Sequence, residues 1–511
     1  MGVHLVVDGE EPPMPMRVEG PAWSEPGLDR NGGRYPLGVE APVMAMVDRL
    51  VPGASTLTRF VRYYSLYWAL AEFAERRGLD TPQCRTMVRR AEVALGLVSV
   101  VLGEDPPAHG ADHVRKQLGK GNVESLAELG PGAYSPRQWG FWSQYNGPSV
   151  VLGTVKLDAE ALRRGRHPLP VDIRQMYRPL LELVEHRPVA LDEVSGFASL
   201  AVQSANTADI DALRGLFTAT RAGSHVPGEW LGNDRTRRAT MRILARSVQL
   251  RAADGWVDAM RSAVAFGDAL SSDPVLSNEE RALAWRGLLL RHFSVGAWRK
   301  LWAQLVDHVQ SGAGSATKDD LYAWIAQDLS DVSVQQFVHG LPAQVDAHGQ
   351  PLAAETEVRD GRSEVEADLA VLLIGSRRLK SLSGRAREAF QGHSGGRGQY
   401  LDPRWIDYQH REHEGRSLAD FARALVDDML AQSTRVAQRK LKVDANGRMR
   451  LFAKLHERNG RYFATQREGA GNVGLRIEQL GTMATQLGLF DVSGARPVVT
   501  DAATQLLDLP A

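Results

Sequence analysis

The chain has 511 residues, enough for two to four domains at about 150 residues each. Lys plus Arg and Asp plus Glu each number 61, so the net charge is zero and favours no class of partner. The single cysteine, Cys84, excludes an internal disulfide and cysteine-rich zinc sites, and it suits a reducing compartment. The first 16 residues lack the basic-then-apolar order of a signal peptide, and no apolar run is long enough to span a membrane. We therefore expect a cytoplasmic protein without a membrane segment.

The first half of the chain predicts an arm followed by helices. Residues 1–40 are rich in proline and glycine and predict an extended arm. Helical spacing begins at Ala41 and stops before Pro52-Gly53. The next helix, over 55–78, carries aromatic residues on almost every side, which predicts a central position in the fold. A third helix is expected over 81–100, and the glycine- and proline-rich segment 103–170 predicts irregular structure packed through aromatic rings.

Helical periodicity continues through most of the second half. Further helices are predicted at about 171–186, 190–204, 207–222, 233–252, 255–270, 277–292, 296–311, 318–329, 332–340, 364–375, 382–391 and 417–440.

The last hundred residues mix strand and helix signals. Two strands, 448–453 and 461–466, flank the turn signal Asn459-Gly460, and a helix at 475–487 follows. A short strand at 497–499 and a helix at 500–507 complete an order that is compatible with a winged helix. The predicted fold is therefore mainly α, a multi-helical body with a small C-terminal α+β, winged-helix-like module. The predicted domains are an arm (1–40), a helical domain (41–270) with the insertion 103–170, a second helical domain (271–400) and the C-terminal module (401–511).

Several short motifs resemble catalytic or metal-binding signatures without their required context. Gly392-His393-Ser394-Gly395-Gly396 fits a nucleophile elbow, but no strand precedes it, so a flexible linker is favoured. Residues 469–474 fit G-x-G-x-x-G, but polar residues separate the motif from any strand, so a glycine turn is favoured. His410 and His413, or His109 and His113, have helical spacing without a third ligand. The sequence thus predicts no metal and no cofactor.

Two stretches are strongly basic despite the neutral total. Arg235, Arg238, Arg242 and Arg246 share one face of a predicted helix, and such a face can follow nucleic-acid phosphates. Residues 435–476 hold eleven Lys or Arg and three acids. The candidate nucleic-acid contacts in this second stretch are Arg435, Arg439, Lys440, Lys442, Arg448, Arg450 and Arg476.

Arg59 and Arg62 lie in the predicted aromatic helix, where a charged group needs a partner. The sequence leaves two interpretations open, a structural ion pair or an anion clamp.

Two parts of the chain resemble uncharacterised bacterial proteins linked with restriction and phage defence. One part is Pro52-Gly53-Ala54-Ser55, then Thr58-Arg59-Phe60-Val61-Arg62-Tyr63-Tyr64-Ser65 and Trp68. The other is the tail, with Val436-Ala437-Gln438-Arg439-Lys440-Leu441, Leu487-Gly488-Leu489-Phe490 and Val499-Thr500-Asp501. None of these segments is a catalytic motif, and the resemblance implies an accessory role in genome defence.

Three functions are compatible with these observations. The first is a non-enzymatic helical protein that binds DNA, RNA or other protein subunits through the two basic stretches. The second is a hydrolase or nuclease whose site is assembled from scattered acids and histidines. The third is an interaction scaffold that uses the aromatic residues of 134–145.

Overall fold

A computed structural model describes residues 29–30, 32–121, 124–127, 140–205, 207–251, 253–312, 314–392, 401–443, 447 and 449–510. Most of the predicted arm, most of the Gly392–Gly396 motif and Arg448 lie outside the described residues.

The described chain is mainly α-helical, as the sequence predicts. Its α-helices are α1 (Ala41–Leu50), α2 (Arg62–Arg77), α3 (Thr81–Leu102), α4 (Ala111–Leu118), α5 (Asn146–Leu152), α6 (Val171–His186), α7 (Ile210–Thr218), α8 (Gly232–Leu250), α9 (Trp256–Met260), α10 (Ala269–Ser272), α11 (Glu280–Ser311), α12 (Lys318–Ala326), α13 (Val334–His339), α14 (Ala354–Glu357), α15 (Glu364–Ser381), α16 (Gly384–Gln391), α17 (Pro403–His413), α18 (Leu418–Arg439), α19 (Ile477–Gln486) and α20 (Asp501–Leu506). Short 3₁₀ helices cover Glu124–Ala127, Leu191–Leu200 and Pro227–Glu229, and π-helical turns cover Phe141–Tyr145 and Arg261–Ala265.

The strands are short and form small separate sheets. They are β1 (Asp29–Arg30), β2 (Val155–Asp158), β3 (Ala161–Arg164), β4 (Ser315–Thr317), β5 (Lys442–Val443), β6 (Met449–Phe452), β7 (Leu455–Arg458), β8 (Arg461–Ala464), β9 (Phe490–Asp491) and β10 (Val498–Val499). The two three-stranded sheets have the orders β1-β6-β5 and β4-β8-β7, and β2-β3 and β9-β10 are antiparallel pairs.

The chain divides into two compact units, each built from separated segments. Unit 1 contains Met1–Val43 and Gly287–Val473, and unit 2 contains Met44–Arg286 and Gly474–Ala511. This division differs from the predicted boundaries at 270 and 400, because contacts distant in sequence define the units and sequence composition does not report such contacts.

The core of unit 2 is built around α2, as its aromatic content predicts. The Tyr67 hydroxyl donates a 2.8 Å hydrogen bond to Glu92 on α3, and the backbone N–H of Phe141 donates a second of 2.7 Å. Burial raises the pKa of Glu92 to about 7. Gly140, with φ of 71°, is required beside this carboxyl, since a Cβ there would lie 2.1 Å from Glu92 Oε1.

For Arg62, the structure decides between the two interpretations left open by the sequence, a structural ion pair or an anion clamp. Its Nη1 lies 3.0 Å from Asp209, both side chains are buried, and Nη2 donates to Thr207 Oγ1 at 2.7 Å. Arg62 is therefore part of a structural ion pair rather than an anion clamp.

In unit 1 the helices approach closely at small residues. A Cβ on Gly287 of α11 would lie 2.0 Å from the Ala386 carbonyl oxygen on α16, so glycine is needed at this crossing. Arg378 on α15 forms a buried pair with Glu355, at 2.6 Å, and donates to the Leu352 carbonyl. These contacts fix α15 against the segment before it.

Most predicted helices are present, with a few exceptions. The two helices predicted at 277–292 and 296–311 are one helix, α11, because Gly296 is tolerated where the Asn472 side chain occupies the space of a Cβ. The predicted helix at 190–204 is a 3₁₀ helix, and the one at 255–270 is interrupted by a π turn after Met260. The structure also adds a short helix, α14, in the predicted loop 341–363, and the helix α17, which was not predicted. The segment 103–170 is more regular than predicted, because it contains α4, α5 and the antiparallel pair β2-β3.

The C-terminal strand-containing region is confirmed, but its arrangement differs from the predicted one. The Asn459-Gly460 hairpin joins β7 to β8, whereas β6 pairs with β5 and β1. The winged-helix arrangement is not confirmed, because this hairpin belongs to unit 1 while α19 belongs to unit 2.

Candidate nucleic-acid interface

Helix α8 carries the first predicted group of arginines. Arg238 is only 4% exposed, and its guanidinium donates to the carbonyl oxygens of Thr218 at 2.7 Å and Leu506 at 2.6 Å. It also lies 2.5 Å from the Asp508 carboxylate. Arg238 therefore joins α8 to the segment after α20.

The next two arginines of this face also have partners within unit 2. Arg242 donates to the Leu507 carbonyl at 2.7 Å and pairs with Glu279. Arg246 lies 2.7 Å from Asp273, with which it also shares a 2.9 Å hydrogen bond through Nε. The spacing correctly predicted one helical face, but the structure assigns that face internal partners.

Arg235 differs from the other three. Its side chain is exposed, and its guanidinium donates a 3.2 Å hydrogen bond to the Pro227 carbonyl. Of the four arginines predicted to contact phosphates, only Arg235 has an exposed side chain.

A further feature of α8, not predicted from the sequence, is a buried ion pair, Arg237 with Asp234. Arg237 and Asp234 are both 1% exposed and lie 2.9 Å apart, and Arg166 approaches the same carboxylate at 2.7 Å. Burial lowers the pKa of Arg237. The one signal in the sequence was Asp234, the single acid among six arginines.

The second basic stretch is divided between the units. Arg476 belongs to unit 2, where it donates to the Ala54 carbonyl at 2.9 Å and pairs with Asp48. Arg476 therefore has an internal role, and the remaining described candidates of this stretch belong to unit 1.

The candidates near the end of α18 have mixed environments. Arg439 is exposed and Arg435 is half-buried. Lys440 donates to the carbonyl of Arg34 and, at 3.2 Å, to that of Tyr35, and burial lowers its pKa. Of these three side chains, Arg439 is the one best placed to meet a ligand.

Cations face each other across two antiparallel strand pairs of unit 1. Lys442 on β5 is directly opposite Arg450 on β6. Arg458 on β7 is directly opposite Arg461 on β8. We call these four residues the basic ladder. Directly opposite side chains lie on one face of a sheet, about 5 Å apart at Cβ, and like charges there are destabilising.

Arg458 and Arg461 lie in the second basic stretch but were not singled out as candidate contacts, although the turn between them indicated their pairing. They flank the Asn459-Gly460 turn, and the two-residue hairpin places its flanking residues opposite each other. Arg461 is exposed and makes its hydrogen bonds with Ser315, at 3.0 Å through Nη2.

The other motifs show no catalytic arrangement in the described part of the chain. Carbonyl oxygens of the 469–474 loop accept hydrogen bonds from Arg299, to Gly471 at 2.5 Å and to Gly469 at 3.3 Å. No group of three or more His, Cys, Asp or Glu residues that could hold a metal ion occurs among the described residues. Phe141 and Tyr145 are fully buried, so the described end of the aromatic segment 134–145 belongs to the core.

Within the described residues, no helix is both long and apolar enough to cross a membrane.

Comparison with protein families, with curated proteins and with solved structures gives no match to this chain.

Proposed function

We propose that this chain is a non-enzymatic nucleic-acid-binding protein, and that the basic ladder with Arg439 is its contact surface. The observation that carries the proposal is the pair of like-charged ladder positions, Lys442 with Arg450 and Arg458 with Arg461. Like charges directly opposite each other on one face of a sheet are destabilising. A phosphate placed against two cations would convert that repulsion into attraction.

The surrounding charge supports the same proposal. The described residues between Arg435 and Val473 include nine Lys or Arg but only two acids, Glu457 and Glu468. Glu468 is engaged by Lys454 at 3.0 Å, and this pair is largely buried. A local excess of cations on short strands suits backbone contacts, which position nucleic acid without reading its sequence.

The accessory role in bacterial genome defence, implied by the resemblance, is part of this proposal. That role would place the chain in the cytoplasm, with DNA or RNA as the ligand. Titration with duplex DNA and with duplex RNA of the same sequence tests the preference.

The experiment is fluorescence anisotropy of labelled duplex DNA with the full chain, from about 50 to 200 mM salt, where binding to phosphates weakens strongly. The variant Lys442→Gln with Arg461→Gln removes one cation from each ladder pair. We expect at least about tenfold weaker binding at low salt, and a salt slope smaller by about 0.9 for each phosphate that is no longer neutralised.

The matched control is Arg411→Gln with Arg423→Gln, which removes two charges from helices of the same unit. These arginines pair with Asp407 at 3.2 Å and Asp420 at 3.0 Å. Equal reductions in affinity in variant and control would show only a response to net charge and would contradict the proposed surface. Absence of binding to either nucleic acid at the lowest salt would overturn the proposed function.

A further inference from the structure

Unit 2 contains a pocket of about 560 Å³ that the proposed function does not use. Its walls come from the segment after β3, the α7 helix, the turn 219–224, Trp230 and Leu506. The volume lies within the roughly 300–1,000 Å³ of small-molecule sites, and most of the residues that line it are apolar.

Two residues that line this pocket each carry a buried polar atom that has no hydrogen-bond partner within the described part of the chain. The two atoms are Nε2 of His167 and Nε1 of Trp230, on residues that are 7% and 4% exposed. An unpartnered buried donor or acceptor costs about 1–3 kcal/mol, so native structures rarely retain one without a purpose. The indole N–H can only donate, so a group that satisfies it must offer an acceptor.

The His167 and Trp230 rings lie close together, and hydrogen bonds fix the backbone of His167. Their centroids are 5.6 Å apart. The His167 carbonyl accepts a 3.2 Å hydrogen bond from the Trp68 indole, and its backbone N–H donates to the Gly153 carbonyl at 3.1 Å. Burial, with the nearby Arg166 charge, lowers the pKa of His167 to about 4, so the imidazole is neutral at pH 7.

Arg221 supplies a cation beside these atoms. Its guanidinium lies 5.3 Å from the centre of the Trp230 ring, and its side chain is 56% exposed. The carboxylate of Glu229 is 3.8 Å away, which is too far for a hydrogen bond. The other lining arginine, Arg214, is already used by the Leu487 carbonyl and Asp211.

The turn that carries Arg221 is conformationally strained. Ala219 and Ala222 have φ of 50° and 48°, a region that residues with a Cβ rarely adopt. The turn is closed by paired backbone hydrogen bonds between Arg221 and Ser224. Such strain collects at ligand clamps and persists where the surroundings over-determine the backbone.

We propose that this pocket binds a small organic anion with a compact apolar body. A carboxylate or phosphate oxygen of the ligand pairs with Arg221, an acceptor meets the Trp230 indole N–H, and the apolar body contacts the remaining walls. The ligand also brings a polar group to His167 Nε2. This site is independent of the basic ladder, which belongs to unit 1.

The test is isothermal titration calorimetry of the full chain with three probes: indole-3-acetate, phenyl phosphate and the neutral indole-3-acetamide. At least one anion is expected to bind with a Kd below about 1 mM, and the neutral amide at least about tenfold more weakly. The two anions distinguish a carboxylate ligand from a phosphate ligand, and binding of either supports the site.

Two variants locate the binding. Arg221→Gln should weaken the anion about tenfold or more, and Trp230→Phe, which keeps a ring but removes the N–H, about fivefold. Arg496→Gln is the matched control, because it removes an exposed arginine of the same unit that pairs with Asp254. Its affinity should equal that of the wild type.

Three outcomes would overturn the proposal: no binding of either anion at about 5 mM, equal binding of the amide, or unchanged affinity in Arg221→Gln. The side chain of Arg221 is exposed, so its variant should fold even if Trp230→Phe does not, and circular dichroism checks both.

Discussion

Helix α8 and the basic ladder are both rich in basic residues, but the groups that surround these residues in the fold differ. All four arginines on the predicted face of α8 contact carbonyl oxygens or carboxylates of their own unit, and only Arg235 is exposed. In the ladder, cations also lie directly opposite other cations, although Arg461 donates to Ser315 as well. A stripe of positive charge in a sequence therefore says little about binding until the groups that face it in the fold are known.

The largest effect expected from this comparison is on the stability of unit 2. Asp234→Ala removes the carboxylate between Arg237 and Arg166, leaving Arg237 buried without its ion-pair partner. We expect a decrease of about 3–5 kcal/mol in the free energy of unfolding, because an uncompensated buried charge is costly. Urea titration measures it.

The control is Asp112→Ala, whose exposed carboxylate pairs with exposed Arg115 at 3.1 Å. Such surface pairs contribute about 0–1 kcal/mol. Similar decreases in both variants would mean that α8 is not a structural charge centre, and the contrast with the ladder would fail.

An intermediate effect depends on pH. Burial alone would raise the pKa of Asp273, but hydrogen bonds from Arg246 and from the Leu276 and Val275 backbone bring it below its ordinary value. A carboxyl with a depressed pKa stabilises the folded state above its unfolded pKa of about 3.9 and loses that contribution as the pH falls through its folded pKa. Arg246→Gln should therefore be less stable than the wild type by about 1–2 kcal/mol at pH 7.

This deficit should shrink as the pH falls below about 4, because Asp273 is protonated first in the unfolded state and then, at its lower folded pKa, in the folded state. Urea titrations at several pH values measure it, and duplex DNA affinity at pH 7 should stay unchanged. A deficit independent of pH, or weaker DNA binding, would show that Arg246 does not act through Asp273.

The smallest effect is expected at the ladder and has the opposite sign. Lys442→Thr removes one of two facing cations and should raise the free energy of unfolding by about 0.2–1 kcal/mol. Arg450→Lys keeps the like-charged pair and serves as the control. A destabilised Lys442→Thr protein would show that the cations do not repel each other, which removes the main support for the proposed contact surface.

The fold was largely predictable because its signals are local. Periodicity predicted α6 with its observed bounds, and the glycine at 78 correctly predicted the end of α2, since its φ of 64° suits a left-handed cap. The glycine at 296 was misread as a break between two helices. It lies inside α11, where the Asn472 side chain, from a segment distant in sequence, occupies the space of its Cβ.

The candidate site was less predictable for the same reason. The spacing of the α8 arginines was right, but their partners Leu506, Leu507 and Asp508 lie more than 260 residues away in sequence. Composition could not distinguish an exposed face from one covered by such a segment. The Arg458–Arg461 pair, in contrast, depends only on the hairpin between them and could have been found.

The segment that covers α8 has a consequence for the order of folding. Unit 2 is completed by residues 474–510, yet the 287–473 segment of unit 1 is synthesised before them. At about 5–20 residues per second, α8 waits roughly ten to fifty seconds on the ribosome for the carbonyls that receive Arg238 and Arg242. During that interval Arg238 and Arg242 lack their partners in the last segment, whereas Asp273 and Glu279, the carboxylate partners of Arg246 and Arg242, are already synthesised.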